Sequence, residues 1–295
     1  ATPAEMLRDA DTAMYKAKTS GKARYVLFDN LLHTDVANRM RLEGDLRRAL
    51  AEGRLTVAYQ PLFDLVTGRI TGFEALARWN HPELGAISPA TFIPIAEDAR
   101  LMLPLTDFVL RTACRQLQAW QSRDATFAEL TMNVNVSEFD VAHPSLVARV
   151  SAALVEAHLK THHLTLELTE NILMARLEAA LPTLTELRRL GVGLSVDDFG
   201  TGYSSLRHLS KLPVNSLKID RAFAAEMQRG SNESAVVKGI IVLGHSLGKS
   251  IIAEGIETAE QMDQLRDMGC TLGQGFHLAR PLTAPDPAMK LLFIA

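Results

Sequence analysis

Two adjacent carboxylates, Asp197 and Asp198, follow the apolar run Val192 to Val196 and precede the glycine-containing stretch 199–202. The apolar run is typical of a buried strand. A carboxylate at the end of such a strand needs a cation or several hydrogen-bond donors to offset the cost of its burial. A divalent metal ion is the simplest cation that satisfies both aspartates, so this segment predicts a metal site at the end of a parallel sheet.

Polar residues also end or follow the other strand-like runs of the chain. In a parallel barrel the trailing ends of the strands meet on one face, and the chemistry of such folds takes place there. Carboxylate and amide oxygens favour hard ions such as Mg2+, Mn2+ or Ca2+ over zinc. The residues in question are Gln60, Glu74, Arg78, Asn133, Asn135, Glu167, Glu170, Asp197, Asp198, Lys218, Asp220, Glu254, Glu257 and Gln274.

Acids that lie this close together repel one another unless cations neutralise them. Two metal ions bridged by one carboxylate are a recurring arrangement for phosphodiester cleavage, in which one ion activates water and the pair stabilises charge on the phosphoryl oxygens. Lys218 could orient that water, help to deprotonate it or offset the developing charge. The planar guanidinium of Arg78 suits a phosphate. For a single acid, a helix N-cap or a salt bridge is the commoner role, and Glu170 and Glu257 keep that interpretation.

Histidine and cysteine do not join this set. The histidines share no placement at strand ends, and we expect each of them on the surface or in a loop. Cys114 and Cys270 form no metal-ligand pattern, and we expect both to be reduced and buried in a cytosolic protein. The histidines considered are His81, His143, His162, His163, His208, His245 and His277.

Strand-like and helix-like runs alternate from Leu55 onward, with glycines where helices should end. About eight strands in roughly 240 residues predict a (β/α)8 barrel, an α/β fold; a doubly wound open sheet is the alternative. A turn rather than a helix separates the first two runs, so one strand is expected to be antiparallel. The predicted strands are Leu55–Gln60, Ile70–Ala77, Leu130–Val136, Leu164–Leu168, Val192–Val196, Ser216–Ile219, Ser250–Ala253 and Thr271–Gly275.

The first thirty residues differ from the rest. Residues 4–18 have helical apolar spacing and residues 25–28 indicate a short strand, but one helix and one strand cannot form a core alone. Because residue 1 is Ala, we expect an excised fragment in which residues 1–30 are the tail of an upstream α/β domain. A second helix, from about Leu31 to Glu52, is expected to begin as a connecting segment over residues 31–40 and to lead into a barrel domain of residues 41–295.

The composition is ordinary for a globular protein, since the 295 residues are 47% hydrophobic and 22% charged. No apolar run approaches the roughly 18 residues that a membrane span needs, and we expect a cytoplasmic protein whose present segment makes no membrane contact. The net charge of -3 argues against a nucleic-acid polymer as partner, because such a partner favours a basic face. A small nucleotide held by metal ions and one or two arginines stays compatible with this charge.

The same polar residues carry a family resemblance. Glu74-Ala75-Leu76, within residues 74–78, resembles the signature of EAL domains, and the match extends over about residues 36–295. The triplet alone is not specific, but the motifs together are highly so. The further motifs are Tyr59-Gln60-Pro61, Asn135-Val136-Ser137, Glu167-Leu168-Thr169-Glu170, Asp197-Asp198-Phe199-Gly200-Thr201-Gly202-Tyr203-Ser204-Ser205, Lys218-Ile219-Asp220-Arg221, Ala253-Glu254-Gly255-Ile256-Glu257 and Gly273-Gln274-Gly275-Phe276.

The resemblance implies a cyclic di-GMP phosphodiesterase of (β/α)8 fold with one reversed strand, which hydrolyses the cyclic dinucleotide to linear pGpG. It implies two Mg2+ or Mn2+ ions, with Ca2+ as an inhibitory occupant. The ligands of one ion would be Glu74, Asn135, Glu167 and Asp197, and those of the second would include Asp197 and Asp198.

The resemblance also implies roles around these ions. Lys218 and Glu254 would act on the nucleophilic water, with Glu254 as a base or a metal ligand, and Gln274 would orient water or substrate. The dinucleotide site would be lined by Gln60, Leu76 and Arg78. Glu170 would brace the loop of residues 198–203, which in this family links the metal site to dimerisation, and Asp220 and Glu257 would give further loop support.

Partners follow from the same resemblance. Residues 7–18 resemble the closing segment of a GGDEF domain, whose signature loop is absent, so an upstream GGDEF domain and an EAL–EAL homodimer are expected in the full-length protein. Arg100 stands where the family often has Gly, and Phe276 where it often has Tyr; neither belongs to the metal set.

Two other functions compete with the phosphodiesterase. The first is a catalytically silent module that binds cyclic di-GMP; it is less favoured because a sensor has no need of Lys218 and both aspartates. The second, reached without the family, is a barrel lyase or isomerase that uses a lysine base beside Mg2+.

Overall fold

The computed structural model describes residues 30–175, 177–201, 209–227 and 231–283, with side chains from residue 37 onward except at 174 and 175. The described residues form two units. The smaller unit consists of those up to Thr56 together with Arg78–Leu105, and the larger unit of Val57–Ala77 and those from Thr106 on. The predicted tail of an upstream domain falls on residues 1–30, of which all but the last lie outside the described residues.

The elements follow one another in the alternating order that the sequence predicts. They are α1 (Asn30–Ala51), β1 (Leu55–Asp64), β2 (Ile70–His81), β3 (Gly85–Ile87), α2 (Pro89–Asp98), α3 (Met102–Arg123), β4 (Thr131–Asn135), α4 (Glu138–Ala142), α5 (Leu146–Glu156), β5 (Leu164–Thr169), α6 (Glu170–Ala175), α7 (Leu177–Leu190), β6 (Gly193–Phe199), β7 (Ser216–Ile219), α8 (Arg221–Glu226), α9 (Asn232–Ser246), β8 (Ser250–Ala253), α10 (Ala259–Asp267), β9 (Leu272–Gly273) and β10 (Leu282–Thr283). Short 3-10 helices precede β4 and β5.

The sheet closes on itself, which confirms the barrel and excludes the open sheet. Parallel pairings run in succession from β2 through β4, β5, β6, β7 and β8 to β9. The remaining strand, β1, pairs with both β9 and β2 and so completes the ring. Its pairing with β9 is antiparallel, as the turn between the first two predicted strands indicated.

Both faces of the barrel strands are largely buried. On β4, Met132 and Val134 are fully buried, and they alternate with Asn133 and Asn135. Because successive side chains of a strand point to opposite faces, the apolar residues lie on one side of β4 and the amides on the other. The strand therefore supplies hydrophobic packing and a polar interior at the same time.

Local sequence signals account for several helix starts. Ser137 and Thr258 each form a capping box with a side chain three residues on, at the beginnings of α4 and α10. Ser231 and Asp220 accept a backbone N–H at the starts of α9 and α8. These oxygens satisfy amide groups that the helix itself leaves without partners. Among the described helices, none combines the length and the apolar character that a bilayer crossing requires.

The expectation that the histidines lie on the surface is wrong for His81 and His163. His81, at the end of β2, is 6% exposed and His163 is 4% exposed. In the smaller unit, His81 Nε2 lies 3.1 Å from Asp45 Oδ2, and its Nδ1 accepts the backbone N–H groups of Glu83 and Leu84. With both ring nitrogens satisfied, burial of the imidazole costs little.

The other histidines considered are exposed, as expected, apart from His208, for which the structure gives no description. Four of them lie on the surface of the described part of the chain. His208 lies outside the described residues. None of the described histidines belongs to the carboxylate cluster that could hold a metal ion.

Candidate functional site

The carboxyl ends of six parallel strands and the segment after β9 bring polar side chains into one cluster in the larger unit. Nine side chains share its hydrogen bonds, ion pairs and close carboxylate contacts, and they are called the acidic cluster below. They are Glu74 on β2, Asn133 and Asn135 on β4, Glu167 on β5, Asp197 and Asp198 on β6, Lys218 on β7, Glu254 after β8 and Gln274 after β9.

Lys218 lies at the centre of the acidic cluster and is 1% exposed. Its Nζ lies 2.6 Å from Glu254 Oε1 and 2.9 Å from Glu167 Oε2. Asp197 Oδ1 and Glu74 Oε2 follow at 3.2 and 3.3 Å. Burial alone would lower the pKa of this ammonium, but the four carboxylates, Glu167 and Glu254 first, raise it well above its ordinary value. Lys218 therefore stays positively charged.

Two amide side chains, Asn135 and Gln274, orient Glu74 and Glu254. Asn135 Nδ2 donates to Glu74 Oε1 at 2.8 Å. Gln274 Nε2 donates to Glu74 Oε2 at 2.7 Å and to Glu254 Oε1 at 2.9 Å. These donors satisfy carboxylate oxygens that burial would otherwise leave without partners. Each glutamate is thus held in one orientation.

The pKa values of the two innermost glutamates, Glu74 and Glu167, are shifted in opposite directions. Burial raises the pKa of Glu74, but the charge of Lys218 and the amide donors outweigh it, so the net pKa lies below the ordinary value. For Glu167 burial dominates, and the charges of Glu74 and Asp197 add to it, so its pKa lies well above the ordinary value despite Lys218. The cluster thus holds more negative charge than its ammonium compensates.

The outer acids show the same excess of negative charge. Burial, with repulsion from nearby carboxylates, raises the pKa of Glu254 to about 8. Burial and the charge of Asp197 raise the pKa of Asp198 to about 6, and a side-chain hydrogen bond with Asp220 contributes. Crowded carboxylates behave in this way when no further cation neutralises them.

The acidic cluster fits a hard divalent cation. Asp197, Asp198 and Glu254 each offer a carboxylate oxygen within 4.8 Å of the others. Asp197 Oδ1 is buried and receives no hydrogen bond from the described residues, and its nearest cation is Lys218 Nζ, 3.2 Å away in an ion pair. A bound cation would satisfy this oxygen. With Glu74 and Glu167, five carboxylates face one ammonium, and the four charges left over match two divalent ions.

A strand irregularity lets both aspartates reach the cluster. Neighbouring residues of a regular strand point to opposite faces. The pairing of β6 with β7 shifts register between Val196 and Phe199, and Asp198 has a φ of 54°, in the left-handed region that aspartate tolerates better than most residues. The bulge turns Asp198 to the same side as Asp197.

Two of the three predicted loop supports, Glu170 and Asp220, lie close to this bulge. Glu170, at the start of α6, is 1% exposed, and its Oε2 accepts the backbone N–H of Gly200 at 2.7 Å. Gly200 has a φ of 101°, a conformation that favours glycine. Asp220 caps α8 by accepting the N–H of Ala222 at 2.8 Å. Residues 202 and 203, the rest of the loop that Glu170 is predicted to brace, lie outside the described residues.

The remaining predicted residues are Gln60, Leu76, Arg78 and Glu257. Gln60 on β1 and Leu76 on β2 are half-buried. Arg78, also on β2, belongs to the smaller unit. Glu257 is exposed, and its backbone N–H donates to Gln261 Oε1 at the start of α10.

One residue of the cluster had no predicted role. The sequence predicts Asn133 near the end of a strand, but the family resemblance implies a role for Asn135 alone. The structure shows Asn133 Nδ2 donating to Glu167 Oε1 at 2.8 Å. The spacing of two residues within one strand, which puts both amides on the same face, is the signal that could have indicated it.

The fold and the site define a class: a (β/α)8 barrel whose strand ends carry a carboxylate cluster suited to divalent ions. The EAL domain model matches residues 43–281, and the chain belongs to the EAL domain family.

Relatives of known description support this membership. The chain is 42% identical over 288 residues to the bifunctional diguanylate cyclase/cyclic di-GMP phosphodiesterase MucR of Pseudomonas aeruginosa, covering 98% of this chain and 41% of MucR. It is 38% identical over 278 residues to the cyclic di-GMP phosphodiesterase NbdA of the same organism, covering 94% and 35%. The chain thus spans less than half of these relatives.

A solved structure gives a comparison at the level of the domain. The PaMucR phosphodiesterase in complex with c-di-GMP superimposes with a TM-score of 0.79 at 43% sequence identity. The match covers 83% of this chain and 98% of that one. The two chains therefore share one fold over nearly the whole of that solved domain.

Proposed function

We propose that this EAL domain hydrolyses cyclic di-GMP to linear pGpG with the help of two divalent metal ions. The observation that carries the proposal is the acidic cluster: carboxylates from four strand ends surround Lys218, and three of them offer oxygens within 4.8 Å of one another. The choice of cyclic di-GMP as substrate is supported by membership of the EAL family and by the likeness to a phosphodiesterase solved with c-di-GMP.

The metal ligands of the proposal are the carboxylates already described together with one amide. Asn135 uses Nδ2 as a donor to Glu74, which leaves Oδ1 for an ion. Bound Mg2+ or Mn2+ would activate a water molecule and stabilise charge on the phosphoryl oxygens. The assigned ligands are Glu74, Asn135, Glu167 and Asp197 for one ion, and Asp197 and Asp198 for the other.

Lys218 and Glu254 take different parts in the proposed hydrolysis. In the metal-free domain the surrounding carboxylates raise the pKa of Lys218, and we assign it the part of a positive charge that offsets charge on the phosphate. Glu254 is the proposed base or metal ligand, and Gln274 fixes its carboxylate by a hydrogen bond at 2.9 Å.

Other roles rest on the family resemblance. Gln60, Leu76 and Arg78 are proposed to bind the dinucleotide, and Glu170, Asp220 and Glu257 to support the loops around the site. An EAL–EAL homodimer and an upstream GGDEF domain are predicted on the same basis for the full-length protein. A cytoplasmic location is predicted from the composition of the present segment.

A cleavage assay tests the proposed function. The purified domain is incubated with cyclic di-GMP and Mg2+, Mn2+ or Ca2+, and pGpG is quantified by liquid chromatography. Mg2+ and Mn2+ should support turnover, while Ca2+ should occupy the site and inhibit. Glu74→Ala and Glu254→Ala should reduce turnover at least 100-fold, roughly the loss of an essential charge-stabilising group.

A matched control separates this effect from general destabilisation. Glu260→Ala changes an exposed glutamate in the first turn of α10 and should leave turnover unchanged. No pGpG with any of the three ions would contradict the proposal. Tight binding of cyclic di-GMP in that case, measured by calorimetry, would favour the silent sensor.

A further inference from the structure

The two asparagines of β4 contact glutamates on different neighbouring strands. Asn135 Nδ2 donates to Glu74 Oε1 on β2, and Asn133 Nδ2 donates to Glu167 Oε1 on β5, each at 2.8 Å. Strand β4 pairs with both β2 and β5, and residues two apart on a strand share one face. The middle strand therefore presents one amide to the carboxylate on each side.

Lys218 completes the arrangement symmetrically. Its Nζ lies 3.3 Å from Glu74 Oε2 and 2.9 Å from Glu167 Oε2. Each glutamate consequently has one oxygen on an asparagine of β4 and the other on Lys218. Glu167 is fully buried and Asn133 is 5% exposed, so the orientation of the Glu167 carboxylate depends on these two donors.

We propose that Asn133 is a positioning residue of the metal site, which fixes the Glu167 carboxylate as Asn135 fixes that of Glu74. The proposal rests on the proposed function, in which Glu167 is a metal ligand. Carboxylates that bind metal ions are themselves held by hydrogen bonds, and loss of such a partner costs roughly 10- to 100-fold in metal affinity or activity.

The chemistry of the amide matters as well as its size. Asn133 offers a neutral N–H donor to a carboxylate that already lies among other negative charges. An aspartate at this position has nearly the same shape but replaces the donor with an acceptor, so it faces Glu167 with a second carboxylate. An alanine removes the donor without adding charge.

Metal binding in the absence of substrate tests the proposal. Mn2+ is titrated by calorimetry into the parent domain and into Asn133→Asp and Asn133→Ala. Both variants should bind Mn2+ roughly 10- to 100-fold more weakly than the parent. In the cleavage assay both should need correspondingly more Mn2+, with the KM for cyclic di-GMP at saturating Mn2+ close to that of the parent.

Asn215→Asp is the matched control. Asn215 precedes β7, at the end of the strand away from the acidic cluster, and its Oδ1 accepts the N–H of Leu194 at 2.9 Å. Aspartate keeps that acceptor, so this variant should bind Mn2+ like the parent.

The outcomes separate positioning from a purely structural role. Circular dichroism and the melting temperature establish that each variant folds, and if Asn133→Asp does not fold, Asn133→Ala decides. A folded Asn133 variant that melts earlier but binds Mn2+ as tightly as the parent would overturn the inference and leave the proposed function intact. A parent domain that binds no Mn2+ would contradict the proposed function and the inference together.

Discussion

Lys218 shows how a single residue can serve both stability and chemistry. It is a buried ammonium in contact with four carboxylates, so its removal leaves several negative charges without compensation. Buried ion pairs add little net stability, but loss of one partner is costly because the other charge stays buried. The stability of the metal-free domain therefore depends on this residue more than on an average core side chain.

Replacement of Lys218 by methionine should destabilise the metal-free domain by about 3–5 kcal/mol. Methionine keeps much of the length of the lysine stem but removes the charge. Urea unfolding in EDTA measures the loss, and excess Mn2+ should recover part of it because the ions supply positive charge. Turnover should fall even with Mn2+ present.

Lys249→Met is the control for this change. Lys249 Nζ donates to the backbone carbonyl groups of Val214 and Leu212 and contacts no carboxylate among the described residues. Mn2+ should stabilise this variant as much as the parent. Equal stability of Lys218→Met and the parent in EDTA would contradict the account of the cluster.

At the scale of elements, the residue that ends α2 in a left-handed conformation is an arginine, although glycine is the common residue at such a position. Arg100 follows the helix with a φ of 56°, and its N–H and that of Leu101 donate to Glu97 and Ala96 carbonyl groups. Helices commonly end in this left-handed conformation with a glycine, which has no Cβ to strain it. The family resemblance implies that Gly is frequent here, and the left-handed φ of Arg100 would give the physical reason.

Arg100→Gly should therefore stabilise the domain by about 1 kcal/mol, which is roughly the cost of the left-handed conformation for a residue with a Cβ. Thermal unfolding measures the change. Ala99→Gly is the opposite control, because Ala99 is right-handed with a φ of -80°, and glycine there should destabilise by up to about 1 kcal/mol. Destabilisation by Arg100→Gly would refute the explanation.

The connection after β9 depends on a glycine at a close approach of two chain segments. A Cβ on Gly275 would clash with the backbone of Ile256, whose N–H donates to the carbonyl of Gln274 at 3.1 Å. Gly275→Ala should displace Gln274, lower the melting temperature and abolish most of the turnover.

Gly239→Ala is the control for Gly275→Ala. A Cβ at Gly239 meets no atom within 4 Å, and alanine in the middle of α9 should stabilise the helix by roughly 0.5–1 kcal/mol. Turnover by Gly275→Ala at the parent rate would show that the close approach does not position Gln274.

The main helices and strands could be predicted because the spacing of their apolar residues, and the glycines at the helix ends, can be recognised in short stretches of sequence. The eight barrel strands and the presence of one antiparallel strand were predicted correctly; the structure shows that this strand is β1. Strands β3 and β10 have only three and two residues, too few to show a period. The φ of Asp198 and the register shift of β6 arise from pairing with β7, which no local pattern records.

The candidate site was predictable as a set of strand ends but not in its contacts. The positions of the acids in successive strands indicated a shared face. The burial of His81 depends on Asp45, 36 residues earlier in the chain, and the contact of Asn133 depends on which strands flank β4. Both require the three-dimensional pairing of distant segments.

For the molecule as a whole, the two cysteine thiols should be unreactive in the native state. Cys114 and Cys270 are both free and fully buried, and burial raises the pKa of each thiol to about 12. Because the thiolate is the reactive form, the native domain at pH 8 should react very slowly with a thiol reagent such as DTNB.

Spectrophotometric titration tests this expectation. Both thiols should react at once in guanidinium chloride, and neither within minutes in the native state. Rapid modification of the native domain would show that a segment covering a cysteine opens easily.

The ring of contacts around Lys218 also bears on how the chain folds. Its carboxylate partners come from four other strand ends, and the contact with Glu74 joins residues 144 positions apart. A half-formed barrel would bury the lysine with only some of these partners, so partly closed intermediates gain little from it. Contacts of such long range form slowly and late. Closure of the barrel and completion of its charge balance should therefore be one cooperative folding event.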